Sequence, residues 1–229
     1  MNRSQLEHLI RASGAVTNSN DLVIVGSQSI LGQFPDAPKE CLVSQEADIY
    51  PRTDPEKSIL IDGAIGERSM FHETFGYYAH GVGADTAVLP RGYEDRLIPI
   101  RNDNTNNVTG WCLEVHDLAS SKLVAGRERD MEFLAVLLKK SLVHVNTLQE
   151  RVRSLQSKAD LAEQRLGLLV MKQYNSLVKS SSDREKLEKE NPELVAARDL
   201  YYSALKAEQV VQRLDQQQQQ QLQDRCRSM

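Results

Sequence analysis

Residues 22–27 read Leu-Val-Ile-Val-Gly-Ser, and residues 46–49 read Glu-Ala-Asp-Ile. The first stretch has the form of a buried apolar strand that ends in a tight Gly-Ser turn. The second has the form of a strand with two carboxylates, and because strand side chains alternate in direction, Glu46 and Asp48 point to the same side. The two stretches therefore predict two strands, a turn and a carboxylate pair.

The turn and the carboxylate pair have a common chemical use. Two like charges held this close repel each other unless a cation lies between them or one of them takes up a proton. A Gly-Ser turn that opens a helix offers backbone N–H groups and a hydroxyl to a phosphate. Together, Gly26, Ser27, Glu46 and Asp48 predict a site for a metal-bound nucleoside triphosphate. Taken alone, each motif also fits an ordinary strand-end turn or a solvated strand face.

Composition limits the kind of protein. The chain has 229 residues and a net charge of −4, which fits one domain of roughly 100–150 residues plus an addition. The acidic balance provides no global basic field for nucleic acid, so RNA binding would require a local basic patch. The three cysteines are an odd number, which indicates reduced thiols. No apolar run approaches the ~20 residues that span a bilayer. We therefore expect a cytoplasmic protein that does not contact membranes.

The chain changes character near residue 142. Gly, Pro and aromatic residues concentrate before about residue 115, and the later part is rich in Leu, Ala, Gln, Lys and Glu. For residues 1–142, strands that alternate irregularly with helices predict an α/β or α+β domain on a mixed sheet with flanking helices. The predicted strands are Leu22–Val25, Ala47–Tyr50, Thr86–Leu89, Leu97–Ile100 and Trp111–Val115, and the predicted helices are Ser4–Ala12, Ser27–Gly32, Ser58–Ile65 and Leu118–Leu142.

Residues 143–229 form the second predicted part, a long helical arm. Apolar residues there repeat at spacings of four and three, which is the heptad seam of a coiled coil. The members of this first seam are Leu148, Val152, Leu155, Ala159, Ala162, Leu166 and Leu169. A second seam comprises Leu200, Ala204, Ala207, Val211 and Leu214, and six glutamines follow at 216–221. The arm predicts either a hairpin or contact with a second copy or a partner protein through residues 146–214.

The order and spacing of these motifs resemble the nucleotidyltransferase superfamily, whose core is an apolar strand, Gly-Ser or Gly-Gly, and a strand with two carboxylates one residue apart. Residues 116–130, HDLASSKLVAGRERD, look like the Lys-Leu-x-Ala…Arg-Asp segment of the minimal nucleotidyltransferases, the group that contains AbiEii-type toxins. With GSQSILG, EADIYP, IGERSMFHETFGYYAHGV and LPRGYEDRL, this segment looks most like an uncharacterised nucleotidyltransferase-like bacterial family. The resemblance covers about residues 1–142 and not the arm.

The resemblance implies a metal and phosphate site. Glu46 and Asp48 are expected to hold Mg²⁺ or Mn²⁺, although Glu46 stands where the superfamily usually has Asp. Many members carry a third carboxylate on a later strand, and Glu114 is the candidate here, while its apolar neighbours fit an outward-facing side chain equally well. Gly26 is expected to let the backbone approach the phosphates, and Ser27 to form a hydrogen bond to them.

The resemblance also implies a cationic group around the triphosphate. Lys122 is expected to supply a point charge, and Arg127 or Arg129 to bind in a forked geometry. Asp130 is expected to orient one of these cations or the attacking group, so that Lys122 and Asp130 are the candidate catalytic residues. For Arg129 and Asp130 the alternative is a surface charge pair that contributes little.

We consider three hypotheses for the function. The first is a Mg²⁺-dependent nucleotidyltransferase that moves a nucleoside monophosphate from ATP or another nucleoside triphosphate to a tRNA, another RNA end or a protein hydroxyl, in a toxin–antitoxin or phage-defence setting. The second is a catalytically degenerate binding module that acts as antitoxin, sensor or scaffold through its arm. The third makes the arm the functional part and the globular domain an anchor.

Other polar residues receive lesser roles. His72, Glu73 and His80 lack the spacing of a helical zinc site, so we interpret these histidines as structural or rim residues. Phe75, Tyr77 and Tyr78 are interpreted as core residues rather than a base-stacking platform, with the alternative that one of them lines the nucleotide pocket. The local basic rim that could contact RNA comprises Arg91, Arg96, Arg101, Lys122, Arg127 and Arg129.

Overall fold

The computed structural model describes residues 1–206 and shows a five-stranded mixed sheet flanked by helices. The strands are β1 (Asp21–Ile24), β2 (Glu46–Pro51), β3 (Tyr78–Gly81), β4 (Ile98–Ile100) and β5 (Thr109–Cys112), in the order β3-β2-β1-β5-β4. Strand β1 pairs antiparallel with β2 and parallel with β5, β2 pairs parallel with β3, and β4 pairs antiparallel with β5. The predicted α/β class on a mixed sheet is confirmed.

The helices account for most of the rest. They are α1 (Arg3–Thr17), α2 (Ile30–Gln33), α3 (Ser58–Ile65), α4 (Met70–Phe75), α5 (Val115–Ala125), α6 (Glu128–Lys139), α7 (Val145–Arg153), α8 (Ala159–Leu177) and α9 (Ser181–Glu190), and residues 192–206 are also helical. Across the described part of the chain, no helix is both long and apolar enough to cross a bilayer.

The chain divides into two compact units, and the second begins at Leu166. The first unit, Met1–Arg165, contains the whole sheet together with helices α1 to α7. The boundary expected near residue 142 stays a prediction.

The core of the first unit forms where apolar side chains of α1 meet the sheet. Leu6 and Leu9 of α1 and Leu22 and Ile24 of β1 are fully buried. Strand β2 alternates as expected from its sequence: Ala47 and Ile49 are fully buried, while the carboxylate-bearing residues between them remain partly exposed. The sheet therefore keeps the carboxylates of β2 on the side away from this buried pair.

Two predicted elements of the first unit are wrong. Residues 86–89 form no strand, because Thr86 lies in a turn whose N–H donates to the Gly83 carbonyl (3.1 Å), and β3 is formed earlier in the chain. The helix predicted over residues 118–142 is two helices, since Gly126 adopts the left-handed conformation (φ 63°) that ends α5. The apolar spacing continues on both sides of this break, which is why the sequence pattern did not reveal it.

The continuous first seam of the predicted arm is also wrong. Helix α7 ends at Arg153 and α8 begins at Ala159, so the seam is divided between two helices. Leu148 and Val152 are fully buried within the first unit, where α7 packs against α5. The end of the second seam, from Ala207, and the glutamines at 216–221 lie outside the described residues. In the second unit, the Arg198 guanidinium stacks over Tyr174, 4.8 Å from the ring centroid.

Candidate functional site

A cleft of about 820 Å³ in the first unit has acidic and basic side chains in its lining. Glu46 and Asp48 of β2 contribute the carboxylate pair, and Lys122 of α5 contributes an ammonium group. Arg127 and Arg129, at the start of α6, add two guanidinium groups that are exposed to solvent. An acidic and a basic group that share one cleft can bind a polyanion together with a cation.

Strands β2 and β3 place an imidazole beside the carboxylate pair. Their parallel register sets Asp48 directly opposite His80 and Glu46 opposite Tyr78. His80 Nδ1 lies 3.1 Å from Glu46 Oε1 and 3.1 Å from Asp48 Oδ1, and the Tyr78 hydroxyl donates to Glu46 Oε2 at 3.0 Å. One ligand atom from each of Glu46, Asp48 and His80 lies within 4.8 Å of the other two, which is close enough to share one cation.

Gly26 is required by the position of Asp48. The Val25 N–H donates to the Asp48 carbonyl at 3.1 Å, which draws the end of β1 against β2. A Cβ on residue 26 would overlap Asp48 Oδ2, so the carboxylate occupies the space that any other side chain would need. The Gly-Ser turn and the carboxylate pair are thus parts of one packed arrangement.

The pKa values of the two carboxyl groups, Glu46 and Asp48, shift in opposite directions. Burial, a hydrogen bond with Glu46 and the charge of Glu46 raise the pKa of Asp48 to about 6. Burial also acts to raise the pKa of Glu46, but hydrogen bonds with Asp48 and Tyr78 and the nearby His80 outweigh it and hold that pKa below its ordinary value. Burial lowers and the two carboxylates raise the pKa of His80, with a net increase. The cluster therefore favours a positive charge beside Glu46.

Lys122 is held in place by the segment that follows it. Its Nζ donates to Asp130 Oδ1 at 2.8 Å and lies over the Phe133 ring, 4.7 Å from the centroid. Asp130 Oδ2 accepts a hydrogen bond from the Arg127 N–H at 3.3 Å, which closes the turn between α5 and α6. The Lys122 side chain is only 14 % exposed. The ammonium group therefore has a fixed position at the cleft, and Asp130 is the residue that fixes it.

Residues 4–182 match the protein family described as "Nucleotidyltransferase of unknown function (DUF6036)". The chain belongs to this nucleotidyltransferase family. No curated protein and no solved structure matches the chain significantly.

The residues predicted from the resemblance to nucleotidyltransferases gather at the cleft with one exception. Those that line it are Gly26, Ser27, Glu46, Asp48, Lys122, Arg127, Arg129 and Asp130. Glu114, the candidate third carboxylate, instead caps α5: it accepts from the His116 N–H at 3.0 Å, and its Oε1 lies 2.7 Å from His116 Nδ1. Within residues 1–206, the group of side chains able to share one cation is Glu46, Asp48 and His80, without Glu114. The roles of these residues in this member of the family stay predictions.

Sequence reasoning missed His80 as a neighbour of the carboxylate pair. The signal was present, because Tyr78 and His80 share the spacing of Glu46 and Asp48, and strand side chains two apart face the same side. Placing the third strand at residues 86–89 concealed it. Tyr78 lines the cleft, in agreement with the alternative left open for one of the three aromatic residues, and its hydroxyl donates to Glu46.

One member of the predicted basic rim has a different position. Arg96 donates from Nε and Nη2 to the fully buried Asp117 at 2.8 and 2.9 Å. Two of its guanidinium nitrogens are engaged by this carboxylate, and the place of Arg96 in an RNA-binding rim stays a prediction.

Proposed function

We propose that this member of the nucleotidyltransferase family transfers a nucleoside monophosphate from ATP or another nucleoside triphosphate to an acceptor hydroxyl. The observation that supports the proposal is that the carboxylate pair on β2 and the cationic residues Lys122, Arg127 and Arg129 line the same cleft. A triphosphate with a divalent cation has the matching distribution of charge, with a cation on one side of a polyanion.

The donor set fits a divalent cation. Two carboxylate oxygens suit Mg²⁺ or Mn²⁺. Because Gly26 has no Cβ, Asp48 Oδ2 can occupy the space beside it. Glu46 and Asp48 are therefore the residues that would hold the cation. When bound, such an ion neutralises the triphosphate and helps to orient it for in-line displacement.

The other residues bind and orient the phosphates. The acceptor hydroxyl oxygen forms a bond to the α-phosphorus and its proton passes to water. The bond from the α-phosphorus to the oxygen that bridges to the β-phosphate breaks, and pyrophosphate leaves with its charge. Lys122, with Arg127 or Arg129, opposes that charge, and the N–H and hydroxyl of Ser27 are available to a phosphate oxygen. Both oxygens of Asp130 are already engaged by Lys122 and by the Arg127 N–H. We therefore assign Asp130 the task of positioning Lys122.

The acceptor and the biological setting follow from the resemblance to the minimal nucleotidyltransferases. We propose a tRNA, another RNA end or a protein hydroxyl as acceptor, in a toxin–antitoxin or phage-defence setting like that of the AbiEii-type toxins. The exposed Arg127 and Arg129 at the cleft are the local cationic surface that an RNA acceptor would contact.

A second candidate function is a binding module that has lost catalysis and acts as antitoxin, sensor or scaffold through its helical part. The observation that favours it is the position of Glu114, which caps α5 and does not join the carboxylate pair. Such a module would bind a nucleoside triphosphate and leave it intact.

The decisive experiment follows label from the α-phosphate. The full chain is incubated with each triphosphate labelled at that position, Mg²⁺ or Mn²⁺, total RNA and a lysate, beside Asp48→Asn and Lys122→Met. We expect label in RNA or protein only with the unaltered chain, while the control Glu73→Gln, an exposed carboxylate on α4, behaves like it. Binding of the triphosphate without any transferred label would support the binding module and contradict the enzyme.

A further inference from the structure

The proposed transfer gives no task to His80, although its imidazole contacts both carboxylates. The two Nδ1 distances, to Glu46 Oε1 and to Asp48 Oδ1, are equal at 3.1 Å. Since the parallel pairing of β2 and β3 sets His80 directly opposite Asp48, sheet register and not a loop fixes this position. The side chain is 49 % exposed, so an ion can reach it from solvent.

Two of the three distances between the ligand atoms suit a single octahedral ion. An ion with bonds of about 2.1 Å separates adjacent ligand atoms by about 3.0 Å. The two distances from His80 Nδ1 are close to this value. An ion that replaced the hydrogen bonds of Nδ1 would therefore find the imidazole at a suitable separation from each carboxylate, and all three ligand atoms lie within 4.8 Å of one another.

The chemistry of the donor set discriminates between ions. Mg²⁺ prefers oxygen ligands and retains water, whereas imidazole nitrogen contributes more to the binding of first-row transition ions. A pair of carboxylates alone would not discriminate between Mg²⁺ and Mn²⁺ by ligand type, because both ions accept carboxylate oxygens. The third donor thus decides the preference.

We propose that His80 is the third protein ligand of the metal site, beside Glu46 and Asp48, and that it makes the site select Mn²⁺ over Mg²⁺. The inference rests on the proposed function, because it concerns the metal of the same site. The competing interpretation is a positioning histidine that forms hydrogen bonds to the carboxylates and never touches the ion.

The test measures metal binding by the full chain without nucleotide. Titration calorimetry compares Mn²⁺ with Mg²⁺, and pulsed electron paramagnetic resonance of the Mn²⁺ complex detects coupling to a ligating imidazole nitrogen. We expect nitrogen coupling in the unaltered chain and affinity for Mn²⁺ about tenfold or more above that for Mg²⁺. In His80→Ala the coupling disappears and Mn²⁺ affinity falls about tenfold or more, with a smaller change for Mg²⁺.

A second variant protects the test against a general loss of structure. His80→Asp replaces the imidazole by a carboxylate, so we expect both ions to bind, the nitrogen coupling to be absent and the preference to move toward Mg²⁺. His72→Ala is the matched control, because His72 lines the same cleft but its Nδ1 accepts a hydrogen bond from the Arg68 N–H at 3.0 Å. In this control the coupling should remain.

The proposal is overturned if the unaltered chain binds neither ion, shows no nitrogen coupling, or keeps the coupling in His80→Ala. The metal-binding test and the label-transfer test can fail independently of each other. Label transfer without nitrogen coupling would leave the enzyme in place and remove His80 as ligand. Nitrogen coupling without any label transfer would retain the ligand and contradict the enzyme.

Discussion

At the scale of single residues, the site depends on the absence of a Cβ at Gly26. Asp48 Oδ2 fills the volume beside Gly26 that a Cβ would take, so the turn at the end of β1 and the carboxylate on β2 constrain each other. Lys122 depends in the same way on Asp130, whose two oxygens are both engaged. Gly26 and Asp130 therefore decide where the charged groups beside them lie in the cleft.

Gly26→Ala should displace the Asp48 carboxylate while the fold persists. The added Cβ overlaps Asp48 Oδ2, and we expect affinity for divalent cations to fall about tenfold or more. Titration calorimetry measures the affinity, and circular dichroism checks the fold. Gly63→Ala is the control, because nothing lies within 4 Å of a Cβ at this position on α3; it should bind as before and be more stable by about 0.5–1 kcal/mol. Unchanged binding by Gly26→Ala would contradict the argument.

Glu7 should make stability depend on pH. Its Oε1 accepts from Arg3 Nε and Asn102 Nδ2, and its Oε2 from Asn104 Nδ2, each at 2.9 Å. Burial acts to raise the pKa of Glu7, but hydrogen bonds from Asn104, Asn102 and Arg3 outweigh it and hold the pKa below its ordinary value of 4.5. The stabilisation is therefore complete above pH 4.5 and is lost as the pH falls through the lowered pKa.

The measurement for Glu7 compares Glu7→Gln with the unaltered chain by urea unfolding. At neutral pH we expect the variant to be less stable by roughly 2 kcal/mol, because hydrogen bonds to a charged group are lost. As the pH falls through the lowered pKa of Glu7 the difference should shrink, since the unaltered side chain then becomes protonated as well. A difference that stays constant with pH would show that the charge of Glu7 is not what stabilises this contact.

At the scale of elements, α5 is the helix that carries Lys122, and it is anchored near both ends. Near its start, Asp117 is fully buried and pairs with Arg96 and with Arg151 of α7. At its end, Arg165 Nη1 donates to the carbonyls of Leu123 and Val124, each at 2.7 Å. The position of the ammonium group at the cleft thus depends on ion pairs and caps outside it.

Asp117→Asn should destabilise the first unit strongly. The substitution leaves the Arg96 and Arg151 guanidinium groups without their buried counter-charge, and we expect a loss of about 3–5 kcal/mol in the free energy of unfolding. Urea unfolding provides the measurement. The control is Arg153→Ala, which removes an exposed ion pair with Glu163 at 3.4 Å and should cost less than about 1 kcal/mol. Equal effects of the two substitutions would refute the anchoring role of Asp117.

At the scale of the whole molecule, self-association through residues 146–214 stays a prediction, and the fold narrows where it could occur. Leu148 and Val152 are buried within the first unit and cannot meet a second copy. Leu168, in the second unit, is 69 % exposed. We expect light scattering to give a mass above the 25.8 kDa of one chain and Leu168→Glu to reduce it toward that value. Ile59→Glu, at an equally exposed site on α3, should not, and a monomeric unaltered chain would exclude the prediction.

Features formed by residues close together in the sequence could be predicted, whereas features formed by residues far apart in the sequence could not. The Gly-Ser turn and the spacing of Glu46 and Asp48 are local patterns, so the strand and the shared direction of the carboxylates could be predicted. His80 joins them through a pairing of strands 32 residues apart. The spacing of Tyr78 and His80 indicates that they share a face, but a local pattern does not indicate which strand lies beside theirs. Glu114 was ambiguous for a related reason, because a helix cap and a strand end look alike in a single sequence.

During synthesis, the acidic residues of the cleft emerge from the ribosome before the basic ones. The carboxylate strand and its neighbour are complete once Gly81 has emerged, whereas Lys122 follows 41 residues later. At a translation rate of about 5–20 residues per second, roughly 2–8 s pass between the synthesis of Gly81 and that of Lys122. During that interval a nascent chain carries the carboxylates of the proposed cation site but not Lys122, so we expect a ribosome-bound fragment of this protein to be inert.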